Sequence, residues 1–192
     1  MRELEEKILA EGQVFPGNIL KVGSFLNHQI DVDFLMRMGQ EIARLYEDSG
    51  VNKILTIEAS GIAIAVAAAS HMHVPMVFAK KSKSQNITGD VYVAEIYSFT
   101  HGNTNSVIVG RDVLGPGDRV LVVDDFLANG RALLGLREII RQAGAEFVGA
   151  AIAIEKAFQG AGDQLRSEGV RVESLAVIES MTDSEIRFRS ST

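Results

Sequence analysis

The 192-residue chain is 46% hydrophobic with three prolines, enough apolar content to bury one substantial core in a single domain spanning 1–192. Its 19 Lys and Arg against 25 Asp and Glu leave a net charge of -6, which argues against a broad nucleic-acid surface and confines any anion site to a local patch. Without cysteine, disulfide frameworks and thiolate zinc sites are excluded; the charged N-terminus is no signal peptide, and the most apolar run, 62–69, is far short of a membrane span, so a cytosolic chain with no membrane partner is expected.

Residues 2–10 read as a short helix. A second helix begins after Asp33, taken as its N-cap, with Phe34, Leu35, Met38, Ile42 and Leu45 at helical spacing, and ends near Gly50. The β-branched run 53–57, the loop 58–61 and an alanine-rich helix to Met72 form a strand-loop-helix unit. Pro75 restarts the chain as a strand over 76–80. Residues 81–90 are polar and lysine-rich with no hydrophobic period, the pattern of a mobile loop, after which 91–100 and 106–113 read as strands. The turn 115–118 introduces the strongest unit: strand 119–124, helix 129–142, strand 147–155. Such alternation predicts an α/β fold, a parallel sheet with helices on both faces and ligands beyond the carboxyl ends of its strands.

The run 120–123 is continuously apolar, as a central parallel strand must be, and leads straight into Asp124 and Asp125. Adjacent carboxylates there repel, and a buried strand tolerates them only where a cation, hydroxyls or amides accept the charge. The small loop 128–132, with Ala128, Asn129, Gly130, Arg131 and Ala132, opens the next helix, whose free N–H groups and positive dipole end suit a phosphate. Acids on one side and amides on the other match vicinal hydroxyls beside a phosphate. The acidic doublet alone leaves metal-dependent phosphatases and receiver domains open as alternatives. His71 and His73, two residues apart on a helix end, face different ways and make a poor metal pair.

Residues 120–132 resemble the phosphoribosyl-pyrophosphate motif of the type I phosphoribosyltransferases. The likeness to the xanthine branch of that family extends over nearly the whole chain, through 20–22, 24–31, 56–58, 97–100, 124–130 and 154–156. It implies that fold, with a mobile loop and a small base-binding hood contributed by about 1–35 and the C-terminal segment. It also implies that Asp124 and Asp125 hold the ribose hydroxyls, directly or through magnesium-bound water, that 128–132 wrap the 5-phosphate, and that Ala59, Ser60 and Gly61 lie against the pyrophosphate. A cation near the mobile loop, Lys80, Lys81 or Lys83, with Lys81 taken first, would join the leaving group. Leu20, Asn27 and Lys156 would form the base pocket, with Mg2+ arriving on the pyrophosphate rather than held by direct protein ligands, and with a homodimer as the assembly.

The resemblance implies purine salvage by transfer of ribose 5-phosphate to N9 of xanthine, giving xanthosine 5'-monophosphate. Two departures from other branches bear on the base. Ala128 stands where hypoxanthine-guanine enzymes place an aspartate, and the resemblance gives this chain no counterpart of the glutamate that adenine enzymes carry near Ser98. Xanthine's own ionisation near neutral pH makes a protein proton acceptor less necessary. Rival readings are a preference for another purine, or a regulator that senses phosphoribosyl pyrophosphate; the purine repressors of this fold carry an added winged domain for which the chain offers no room.

Overall fold

The structure, a computed structural model, describes residues 1–81, 90–98, 103–182 and 185–190. Helix α1 (Arg2–Glu11) leads into a hairpin of β1 (Gln13–Phe15) and β2 (Ile19–Lys21), paired antiparallel with Val14 opposite Leu20. Helix α2 (Val32–Leu45) follows. Its N-cap is Asp31 rather than Asp33: the Asp31 carboxylate accepts from Phe34 N–H at 3.1 Å, while Asp33 occupies the first turn. The sequence pattern placed the start two residues late because Val32, exposed at 62%, adds nothing to the apolar stripe. A 3-10 turn, Glu47–Ser49, ends at Gly50 in the left-handed region, φ 67°.

The central sheet holds β3 (Lys53–Ile57), β4 (Met76–Ala79), β7 (Arg119–Leu127), β8 (Glu146–Lys156), β9 (Val172–Thr182) and β10 (Glu185–Phe188), in the order β10-β9-β8-β7-β3-β4. All neighbours are parallel except β10, which runs antiparallel to β9. Helix α3 (Gly61–Met72) connects β3 to β4, and α4 (Arg131–Gln142) connects β7 to β8. The segments β5 (Val91–Ser98) and β6 (Asn103–Gly110) form a separate antiparallel pair, tied to the sheet edge by the bridge between Lys80 and Ile108. The mobile loop expected over 81–90 falls almost wholly outside the described residues, as does Lys83.

Alternation along β7 decides which layer each residue serves. Leu121 and Val123 join α1, α2 and α3 in one apolar cluster; Val120 and Val122 face α4, α5 (Ala161–Ser167) and the β5-β6 pair in the other. On the first face α2 and α3 approach closely, since a Cβ on Gly39 would lie 2.7 Å from that of Ala67. Helices on both faces leave the carboxyl ends of the strands as the open edge of the sheet.

Candidate active site

The crevice begins where two strands part. The ladder between β3 and β7 pairs Lys53 with Val120, Ile54 with Leu121 and Leu55 with Val122, and stops there. Beyond that point Asp124 and Asp125 stand on one side, with Thr56 and the turn 58–60 on the other. On its opposite edge β7 stays paired with β8 as far as Leu127 opposite Glu155, so the two carboxylates lie within a held strand rather than on a free end. That is three residues more strand than the sequence pattern marked.

Both carboxylates are nearly buried, Asp124 at 8% and Asp125 at 7% exposure. Burial first, and then the charge of Asp125, pushes the Asp124 carboxyl well above the ordinary carboxylate range. The Asp125 N–H, donating to Asp124 Oδ1 at 3.0 Å, and the Lys81 charge act in the opposite sense. Lys81 is held near the crevice by its own backbone, whose N–H donates to Glu58 Oε1 at 2.6 Å. A Cβ on Gly61 would fall 2.8 Å from Asp124 Oδ1 and inside contact distance of Thr56 Oγ1, so only glycine lets the start of α3 come this close. Thr56 Oγ1 is buried without a hydrogen-bond partner among the described residues. Ser60 stands at the N-cap of the 12-residue α3 with no side-chain cap bond, and in the first turn Ile62 N–H donates to Ala59 O at 3.2 Å.

Across the crevice, residues 128–132 line a cavity of about 160 Å³ together with Asp124, Phe126 and Ile152. Gly130 starts α4 at φ 76°, a conformation that L side chains rarely adopt. Asn129 Oδ1 accepts from Arg131 N–H at 3.2 Å, a local bond that shapes the turn. The starts of α3 and α4 therefore both lie beside Asp124.

The three residues expected at the base come from distant parts of the chain. Asn27 Nδ2 donates to Asp125 Oδ2 at 3.3 Å, which joins the segment after β2 directly to the acidic strand. Lys156 Nζ donates to Asn18 O at 2.8 Å and sits 5.3 Å from the centre of the Phe126 ring. Burial lowers the Lys156 pKa from the ordinary lysine value. Leu20, 6% exposed, belongs to the apolar cluster of the α1-α2-α3 face, so most of its side chain serves the core.

Asp124, Asp125, the turn 59–61, the loop 128–132 and Asn27 thus come together, with Lys156 bridged to them through Phe126. Sequence reasoning passed over Thr56, Glu58, Phe126 and the Asn18 carbonyl. The first three lie inside segments that carry the family resemblance, but their contacts depend on chain fold-back, and a main-chain carbonyl leaves no mark in a sequence.

A phosphoribosyl transferase domain model matches residues 22–174. The chain is 53% identical to a xanthine phosphoribosyltransferase of Bifidobacterium adolescentis over 99% of its own length and 100% of that protein's. It is also 53% identical to the xanthine phosphoribosyltransferase of Geobacillus thermodenitrificans, over 98% of this chain and 97% of the relative. Among solved structures, the adenine phosphoribosyltransferase of Rhodothermus marinus superposes with a TM-score of 0.74 at 21% identity, covering 93% of this chain and 100% of that one. The enzyme from Giardia lamblia complexed with 9-deazaadenine gives 0.74 at 20% identity, covering 93% and 98%. At such low identity these two speak for the fold, and the match over 22–174 with the full-length relatives speaks for the family: the chain belongs to the phosphoribosyltransferases, among relatives named xanthine phosphoribosyltransferase.

Proposed function

We propose that the chain performs purine salvage by transferring ribose 5-phosphate from 5-phosphoribosyl-1-pyrophosphate to N9 of xanthine, releasing pyrophosphate and xanthosine 5'-monophosphate. The observation that carries this reading is the pairing of two buried carboxylates with two helix starts in one crevice, acids for ribose hydroxyls and amides for the phosphates at either end of the sugar. The names of the full-length relatives support xanthine as the base.

In this mechanism Asp124 and Asp125 accept from the ribose hydroxyls, and the loop 128–132 receives the 5-phosphate on its main-chain N–H groups, Ala128 and Ala132 having no hydroxyl to add. Ala59, Ser60 and Gly61 meet the pyrophosphate, and Lys81 brings positive charge to it. The anomeric carbon loses pyrophosphate as the base nitrogen approaches, through an oxocarbenium-like state whose positive charge the ribose-side carboxylates stabilise. No covalent nucleophile takes part. Lys156 donates to a ring carbonyl and Asn27 reads a second polar edge, while Leu20 offers an apolar wall. Among the described residues no three His, Asp or Glu side chains cluster as a metal cage. The carboxylate pair fits Mg2+ that arrives on the pyrophosphate and is met through its water shell; once bound, it would neutralise charge on the leaving group.

The same reading carries a base-binding hood built from about 1–35 and the C-terminal segment, a homodimer and a cytosolic setting, with no nucleic-acid or membrane partner. Among the described residues no helix is long and apolar enough to cross a membrane. The test is to incubate the protein with magnesium, phosphoribosyl pyrophosphate and each purine in turn, and to assay the nucleotide formed. Xanthosine 5'-monophosphate ahead of the other products is expected; no product with any base would overturn the enzymatic reading, and a faster reaction with guanine or adenine would overturn the base assignment. The pH profile of the xanthine reaction should follow ionisation of the base as well as that of protein groups.

A further inference from the structure

The loop 128–132 has no hydroxyl at Ala128 or Ala132, so the direction of its amides depends on what the loop leans against. One support is the first turn of α5: a Cβ on Gly130 would lie 3.0 Å from Ala161 Cβ, which leaves no slack between the loop and that helix. From the other side α5 is held by a carboxylate that the transfer mechanism does not use. Glu155 stands on β8 opposite Leu127, the last residue of β7 before the loop, and is fully buried. Arg166 Nη1 donates to Glu155 Oε1 at 2.9 Å and Nη2 to Oε2 at 2.6 Å, while Ser174 Oγ donates to Oε2. Gly162 lies so near that a Cβ there would overlap Glu155 Oε1. Residues 161 and 162 are wedged between the Glu155 carboxylate and Gly130.

The anchoring continues outward. Arg166 Nε donates to Val172 O at 3.1 Å and Nη1 to Asp163 Oδ1 at 3.3 Å. Asp163 accepts twice from Arg189, at 2.8 and 2.9 Å, and Arg189 Nε donates to Glu179 at 2.6 Å. A buried ion pair is a poor device for stability, because the cost of removing both charges from water offsets their attraction, and an apolar pair would fill the space as well. Two parallel N–H···O bonds do fix an angle, which apolar packing does not.

We propose that Glu155 and Arg166 are positioning residues for the 5-phosphate loop, acting through the first turn of α5 without touching either substrate. The inference rests on the reading that 128–132 receives the phosphate.

Calorimetric binding of ribose 5-phosphate and of phosphoribosyl pyrophosphate, with steady-state KM values for both substrates and thermal midpoints, tests it on the wild type and three variants. The apolar replacement Glu155→Leu with Arg166→Met should weaken binding of both phosphorylated sugars by about tenfold to a hundredfold, the scale of a loop misplaced by roughly an ångström. KM for the base at saturating phosphoribosyl pyrophosphate should stay within about twofold, since the base pocket lies outside this wedge. Ser174→Ala, which removes one bond and leaves the ion pair, should show the same pattern at a few-fold scale. Arg166→Lys, keeping charge but not the fork, should fall between wild type and the apolar pair. A lowered thermal midpoint with unchanged sugar binding, or an equal loss for base and sugar, would overturn the proposal. Wild type that binds neither sugar would overturn the loop reading with it, whereas tight wild-type binding matched by all three variants would remove the positioning role alone.

Discussion

The two halves of the crevice are made in different ways. The side proposed for the sugar comes from one strand-turn-helix unit, with Asp124, Asp125 and the loop 128–132 within nine consecutive positions. The side proposed for the base draws Asn27 from the segment after the N-terminal hairpin, bonded to Asp125 at 3.3 Å, and Lys156 from the end of β8, bonded to Asn18 O at 2.8 Å and lying over the Phe126 ring. Chain continuity along one paired strand holds the first half; the second is assembled from segments far apart in the chain. The sugar side should therefore be costly to alter, and the base side easier to retune without loss of the fold.

The largest expected effect breaks the sugar side. Asp124→Asn should lower kcat/KM for phosphoribosyl pyrophosphate by about 10²–10³-fold, as removal of a charge-stabilising group does. The same change should raise the thermal midpoint near neutral pH. A carboxyl whose folded pKa is raised is favoured in its protonated form, so the wild-type penalty builds as pH rises from the ordinary carboxylate range toward that folded pKa, and the gain from asparagine should vanish in acid below the ordinary carboxylate range. A midpoint difference that is flat with pH would contradict the buried-carboxylate account.

Gly61→Ala comes next, because its Cβ would press on Asp124 and Thr56. About 1–3 kcal/mol of stability should be lost to overpacking, read by denaturant unfolding, with weaker pyrophosphate-side binding. On the base side, Lys156→Met should raise KM for xanthine by about ten- to a hundredfold, the value of a charged hydrogen bond, and leave sugar binding nearly unchanged. Because burial depresses the Lys156 pKa, base affinity in the wild type should fade on the alkaline side sooner than an ordinary lysine would allow, and the methionine variant should lack that limb. Equal losses for both substrates would erase the distinction between the halves. The smallest effect is at Thr56→Val. Its hydroxyl is buried without a partner among the described residues, so the change should be neutral or stabilise by up to about 1 kcal/mol. A marked loss of turnover would instead mean that the hydroxyl meets a substrate.

Much of the strand framework was readable because period and composition agree there. The short valine-rich run 120–123, set off by the turn 115–118, reads as a buried strand, and the longer alanine-rich stretch after Gly61 as a helix. The short hairpin of β1 and β2, three residues each, carries too few positions for any period. Helix α5 is only seven residues long and begins after a glycine at φ 81° rather than a polar cap. The strand β9 mixes Glu173, Ser174 and Glu179 into its pattern, since Ser174 points to the buried Glu155. Asp33 resembled a cap by composition, but Asp31 holds the extended backbone and the reach to Phe34 N–H.

Sequence by itself determined the acids, the small loop and the strand that carries them, because neighbours along the chain stay neighbours in space and their chemistry can be read in place. Tertiary structure decided which groups Asn27, Lys156 and Glu155 meet. Each reaches its partner only when strands separate, pair or stack, and such partners depend on packing of the whole sheet rather than on local spacing. Asp124 shows both halves of the matter: its place at the end of an apolar run is written in the chain, while its raised pKa exists only because the fold removes it from water beside Asp125.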